Sequence, residues 1–171
     1  MFRRFSTLLS AALFSATCLA GATRAAPADT PDKAAPKILR YVSLRVNKAN
    51  MRQGPSYSHR ILWVYRHKGY PFAVTNEFES WRKLLGPDGA EGWMSSVMLS
   101  DRRTVLITGK GRAPLYAKPG DDKVVALAEP GAVADLKACT RSDCRITGKD
   151  VDGWIAKNRI WGVGPDEIFG K

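Results

Sequence analysis

The sequence predicts an all-β protein built of two small tandem modules, and three observations lead there. The first is an internal repeat: residues 50–99 and 114–160 follow the same course, at an offset that drifts from 64 to 61 positions. The second is a succession of short β-type runs punctuated by Gly, Pro and Asp. The third is the lack of any long stretch with the 3.6-residue apolar period of an amphipathic helix. A repeat of about 60 residues is too long for a solenoid unit and suits a self-contained minimal domain.

In each copy a turn with Gly and Pro (Gly54 and Pro55; Pro119 and Gly120) precedes an apolar run. A glycine follows (Gly69; Gly131), then a second apolar run (72–74; 132–136). A polar bend leads to Gly-Trp and an apolar residue: Gly92, Trp93 and Met94, or Gly153, Trp154 and Ile155. Within the first copy, strands are expected over 40–47, 61–66, 72–77, 81–85 and 91–94, with Pro87, Asp88 and Gly89 as a tight turn. Five short strands imply a small barrel or two orthogonal sheets, because an open sheet of that size leaves long edges exposed. Gly54 and Gly69 are expected to supply turn conformations, and Trp93 and Trp154 to lie in the cores. Trp81 alternates with Arg82 and Leu84, so it either caps the core edge or is partly exposed. Between the copies, 104–108 reads as a strand and 109–111 as a turn, so the modules are expected to hold a defined relation.

The chain opens with Arg3 and Arg4, an apolar core over 8–19, and small residues thereafter, the order of regions of a cleaved signal peptide. Cys18 lacks the preceding Leu and small residue of a lipidation motif and is read as part of the signal. Residues 26–37, rich in Ala and Pro, have nothing to bury and are expected to be disordered. The expected partition is therefore a signal peptide over 1–25, a linker over 26–37, and modules over 38–100 and 104–165.

Export makes a disulfide the default for Cys139 and Cys144, whose spacing suits the two arms of a hairpin. Closing so small a loop contributes about 2 kcal/mol on the chain-entropy estimate. The second module has the greater need of it, holding four of the aromatic residues after position 100 against nine between Tyr41 and Trp93. The net charge is +11, and +8 without Arg3, Arg4 and Arg24. Outside the cytosol such a surface points to anionic envelope polymers, headgroups or acidic proteins rather than nucleic acid, or serves solubility alone.

The residues NMRQGPSYSHRILWV, then Lys68 and Gly69, then ESWRKLLGPDGAEGWM, resemble a bacterial SH3-like domain. Asn50, Arg52, Gly54, Pro55, Gly69, Trp81, Gly92 and Trp93 carry the resemblance. The second copy departs from it with Pro114, Leu115 and Tyr116 where Asn50, Met51 and Arg52 stand. The resemblance implies two tandem SH3-like barrels and an interaction role, and it names no ligand. The signal adds the expectation of a periplasmic or secreted protein, and a monomer is expected.

No nucleophile with a base, carboxylate pair or paired metal-ligand spacing stands out, so no catalytic residue, metal or cofactor is expected. In SH3-like barrels the ligand groove generally lies beside the long loop after the first strand. Here that loop carries Tyr57, His59 and Arg60, with Trp63 and Tyr65 on the next strand and Arg52 before it. An aromatic groove flanked by cations suits an extended chain bearing carboxylates, such as the peptide stems of peptidoglycan. Trp63 and Tyr65 are otherwise ordinary strand core and the charges a solvated face; the alternative function is an adaptor that binds another periplasmic protein.

Overall fold

The computed structural model describes residues 36–149 and 151–170. The expected signal peptide, and the expected linker apart from its last two residues, lie outside the described residues. The first module is one antiparallel sheet of seven strands: β1 (Arg40–Leu44), β2 (Ala49–Arg52), β3 (Ile61–Tyr65), β4 (Pro71–Phe78), β5 (Trp81–Leu85), β6 (Glu91–Ser95) and β7 (Leu99–Ser100). A 3-10 turn, Ser96–Met98, separates the last two. The second repeats the plan with β8 (Thr104–Ile107), β9 (Ala113–Tyr116), β10 (Val124–Ala128), β11 (Val133–Cys139), β12 (Asp143–Thr147), β13 (Asp152–Ala156) and β14 (Ile160–Trp161). The spatial orders, β3-β2-β6-β5-β4-β1-β7 and β10-β9-β13-β12-β11-β8-β14, are the same path through corresponding strands.

Both sheets carry a bulge at the same place, between Val74 and Asn76 opposite β5 and between Leu136 and Ala138 opposite β12. The extra residue bends the strand and sharpens its twist, which lets so small a sheet curl around its own core. The registers align the two cores position by position: Val42 with Val105, Leu44 with Ile107, Met51 with Leu115, Val74 with Leu136, Leu84 with Ile146, Met94 with Ile155. One exchange is large, Phe72 for Ala134. In the first module Phe72 packs with Tyr65 and Tyr70, at ring distances of 4.8 and 5.3 Å. In the second, the disulfide between Cys139 and Cys144 joins the core, bridging residues that face each other across β11 and β12 with Cα atoms 4.0 Å apart.

The first module has seven strands where five are expected, and the second also has seven. The run 40–47 ends as a strand at Leu44, and β2 follows as a separate element. Its sequence, Ala-Asn-Met-Arg, has no β-branched residue, yet Ala49 and Met51 face the core and it pairs on both sides. Trp93 and Trp154 are not core residues as expected: Gly92 and Met94, like Gly153 and Ile155, take the inward positions, and the tryptophans face outward, partly exposed. Trp93 stands between Arg52 and Lys83 in the register. Gly69 and Gly131 do supply positive φ, 85° and 83°. Gly54 does not; the imidazole of the exposed His59 packs where a Cβ would stand.

The modules meet closely. Thr104 Oγ1 donates to the Gly69 carbonyl at 2.6 Å, and the Tyr41 and Trp161 rings meet edge to face, centroids 5.7 Å apart. Arg103 binds both carboxylate oxygens of Glu167, at 2.6 and 3.1 Å, and donates to the Gly162 carbonyl. Its guanidinium lies 5.4 Å from the Tyr41 ring centre and 5.2 Å from that of Phe169. One side chain thus ties the first module, the connection and the C-terminal segment together. Burial alone would raise the Glu167 carboxyl, but hydrogen bonds from Arg103 and the Gly164 N–H, with the charges of Arg103 and Lys157, hold it below the usual glutamate value.

Candidate ligand-binding groove

The strands β2, β6 and β5 lie side by side, and their alternation turns Asn50, Arg52, Trp93, Ser95, Trp81 and Lys83 to the outer face while Met51, Met94 and Leu84 face the core. An indole on an outer face is ordinarily exposed; Trp81 is only 6% exposed. It is covered by residues 53–60, which bring Tyr57 against it edge to face at 5.0 Å. Tyr57 itself remains 66% exposed.

Arg52 holds the loop in that position. Its Nη1 donates to the carbonyl oxygens of Tyr57 (3.0 Å) and His59 (2.8 Å), and its guanidinium sits 5.5 Å from the Tyr57 ring centre. Further bonds close the loop on itself: Gln53 N–H to the Arg60 carbonyl at 3.1 Å, and Ser58 N–H to Ser56 Oγ at 3.1 Å. A groove of about 150 Å³ results, with Tyr57, Trp81 and Met98 as apolar walls, Asn50 and Ser95 as neutral polar groups, and Lys48 and Arg52 as cations. No carboxylate lines it.

Of the six residues singled out in the sequence, Tyr57 and Arg52 line this groove. Arg60 is exposed at the loop's end and outside the lining. His59 packs on Gly54. Trp63 stands across from Met51 on the edge strand β3, 55% exposed and away from the groove. Tyr65 belongs with Tyr70 and Phe72, its hydroxyl buried without a partner; burial, then the charge of Asp88, pushes its ionisation well above the ordinary tyrosine value. Sequence reasoning passed over Lys48, Asn50, Ser95 and Met98 as binding residues and left Trp81 open. The alternation of Trp81 and Lys83 against the core residue Leu84 is the signal that places Trp81 on the outer face.

The second module does not repeat the lining of this groove: a cleft beside Asp143 and Ala156, the counterparts of Trp81 and Ser95, has Arg141, Lys157 and Pro165 in its wall. The register puts Tyr116 where Arg52 stands and Asp143 where Trp81 stands. In place of Met98 is Arg159, which donates to the carbonyls of Thr108 and Gly111. Among the described residues no three His, Cys, Asp or Glu side chains gather as a metal site, and no helix is long and apolar enough to cross a membrane.

A family model described as a bacterial SH3 domain matches the chain twice, over residues 45–101 and 109–162. Among curated proteins none matches significantly. Among solved structures, the chain is similar to an NlpC/P60 family protein from Bacillus cereus, at 17% identity and a TM-score of 0.32, covering 71% of this chain and 55% of that one. It is also similar to NlpC1 and NlpC2 from Trichomonas vaginalis, both at 12% identity, with TM-scores of 0.34 and 0.32. These alignments cover 74% and 71% of this chain and 46% and 47% of those. The chain thus spans about half the length of the structures it matches.

Proposed function

We propose, from the premise that this chain belongs to the bacterial SH3 domain family, that it is a non-catalytic binding module of the cell envelope whose first module takes peptide bearing carboxylates, the stems of peptidoglycan, in the groove at Tyr57 and Trp81. The observation that carries the proposal is the composition of that groove: two aromatic rings in contact, two cations and no carboxylate in the lining. Aromatic walls hold an extended chain by apolar contact at small entropic cost, and Lys48 with the free donors of Arg52 pair with its carboxylates. The disulfide and the signal-like N-terminus support a periplasmic or secreted location.

Retention on purified peptidoglycan sacculi tests the proposal. Tyr57→Ala is expected to weaken retention at any salt concentration, and Lys48→Gln mainly at low salt, where exposed charges are least screened. Failure of the native protein to bind sacculi would overturn this reading. The exposed apolar edge strand β3, with Ile61, Trp63 and Val64, favours a second reading as an adaptor for another periplasmic protein.

A further inference from the structure

The modules differ most where β4 and β11 run out. β8 begins at Thr104, opposite Asp135, so past Leu136 the outer edge of β11 has no neighbouring strand. The C-terminal segment fills that place. The Cys139 N–H donates to the Phe169 carbonyl at 2.6 Å, and the Phe169 N–H returns to the Cys139 carbonyl at 3.3 Å. Two residues earlier, Glu167 is gripped by Arg103, which also lies over the Phe169 ring. The tail is a short added strand, fixed by a carboxylate and an aromatic ring to one arginine.

The register puts Arg40 where Arg103 stands and Glu77 where Cys139 stands. On the first module, too, the neighbouring strand gives out: β1 reaches Val74 through Arg40, and Leu39 adds one bond to the Val74 carbonyl. Beyond that, among the described residues, no backbone group pairs with the outer edge of β4. The Glu77 N–H, counterpart of the Cys139 donor, is capped instead by Asn76 Oδ1 at 2.8 Å, an acceptor that an incoming carbonyl can replace. Asn76, Glu77 and Phe78 are all exposed. A cleft of about 160 Å³ beside β1 is lined by Arg40, Arg45 and Arg82, with Asp101 as the one carboxylate in its wall. Glu77 engages Arg40 and Arg82, and among the described residues Arg45 has no ion-pair partner.

We propose that this edge of β4 docks an extended segment of a partner protein that carries a carboxylate two residues before an apolar or aromatic residue, as β11 takes its own Glu167 and Phe169. The backbone supplies strand addition at Glu77, and Arg40 and Arg45 supply the charge. The second module closes its copy of the site with its own chain; in the first, no described residue fills it. Arg82 faces this cleft from the side of β5 opposite Trp81, so the site is separate from the groove and does not depend on what the groove binds.

The test uses the full chain, isotopically labelled, and an acetylated, amidated peptide of residues 162–170, GVGPDEIFG, titrated at low salt. The expected result is saturable one-to-one binding with amide shifts at Asn76, Glu77, Phe78 and Arg40. Glu167→Gln in the peptide, or Arg40→Gln in the protein with its remaining spectrum unchanged, should weaken binding roughly three- to tenfold. Asn76→Ala, which removes the competing acceptor, should tighten it. The proposal is overturned by the absence of saturable shifts at millimolar peptide, by shifts confined to residues 137–139 or to the surroundings of Tyr57 and Trp81, or by an affinity indifferent to Arg40. None of these outcomes bears on the sacculus experiment, which reads Tyr57.

Discussion

Replacing Arg103 with alanine should uncouple the two modules. The side chain is 17% exposed and makes a two-pronged bond to Glu167, a third bond to the Gly162 carbonyl, and contacts with the Tyr41 and Phe169 rings. Hydrogen bonds between charged partners are worth about 1.5–3 kcal/mol when partly buried, and a cation over a ring about 0.5–1 kcal/mol. Because every contact shares one guanidinium the terms do not simply add, and a total of about 3 kcal/mol is the working figure. For a folded unit of this size each kcal/mol moves the melting temperature by roughly 3–4 °C, so the variant should begin to unfold about 10 °C lower by calorimetry. Part of the loss comes from leaving the Glu167 carboxylate, 26% exposed, without its partner. Adding Glu167→Gln to the variant should therefore restore stability rather than cost more. A fall of under about 3 °C, or losses from the two substitutions that simply add, would refute the role given to Arg103.

Two further predictions concern the second module. Cys139→Ser with Cys144→Ser should lower its stability by more than the chain-entropy figure of about 2 kcal/mol, since two buried sulfurs give way to hydroxyls; calorimetry reads the loss, and thiol labelling of the native protein should find both cysteines unreactive. Acid should loosen the C-terminal segment: a carboxyl held below its ordinary value of 4.5 contributes stability that is fully present above that pH and is lost as pH falls through the lowered folded value, so the protection of the Phe169 amide from exchange, relative to its intrinsic rate at each pH, should fall below about pH 4.5 in the native protein. In Arg103→Ala, where burial is less opposed, this loss should shrink or reverse, because acid then neutralises a carboxylate left without its partner.

The plan of the molecule is legible in the sequence because the repeat is written in local signals. Gly69, Gly131 and the turn at Pro87 to Gly89 announce backbone conformations that few other residues adopt, and they stand where the strands reverse. Strand β2 is illegible because Ala-Asn-Met-Arg owes its conformation to pairing partners on both sides rather than to its own preferences. The inward face of Gly-Trp-Met is ambiguous for a related reason. A period of two says that Trp93 and Met94 point opposite ways, and only the fit against Met51 and Leu84 decides which is inside. The groove is hardest to read. Tyr57 and Trp81 are brought together by Arg52, one nitrogen of which is taken up by two backbone carbonyls, and a bond between a side chain and a distant carbonyl leaves no trace in residue type or spacing.

A site that binds something else must keep groups that its own chain has not satisfied, and this requirement separates the two halves. At the end of β11 the pair corresponding to Glu77 and Arg82 has become Cys139 and Cys144, sealed in the core and overlaid by the C-terminal segment. Where Met98 borders the groove, Arg159 is occupied with backbone carbonyls. Where Trp81 lies under Tyr57, Asp143 accepts from the neighbouring Ser142 hydroxyl. Each exchange turns an open contact into an internal one, which suits a module that supports its neighbour. The first module pays for the opposite choice in an exposed Tyr57, a cluster of arginines and a strand end that no described residue pairs. Those costs are tolerable because Arg103, Thr104 and Trp161 brace it from the second. A chain that dropped the second module would lose these contacts first, and with them the anchorage of β1 beside the proposed docking edge.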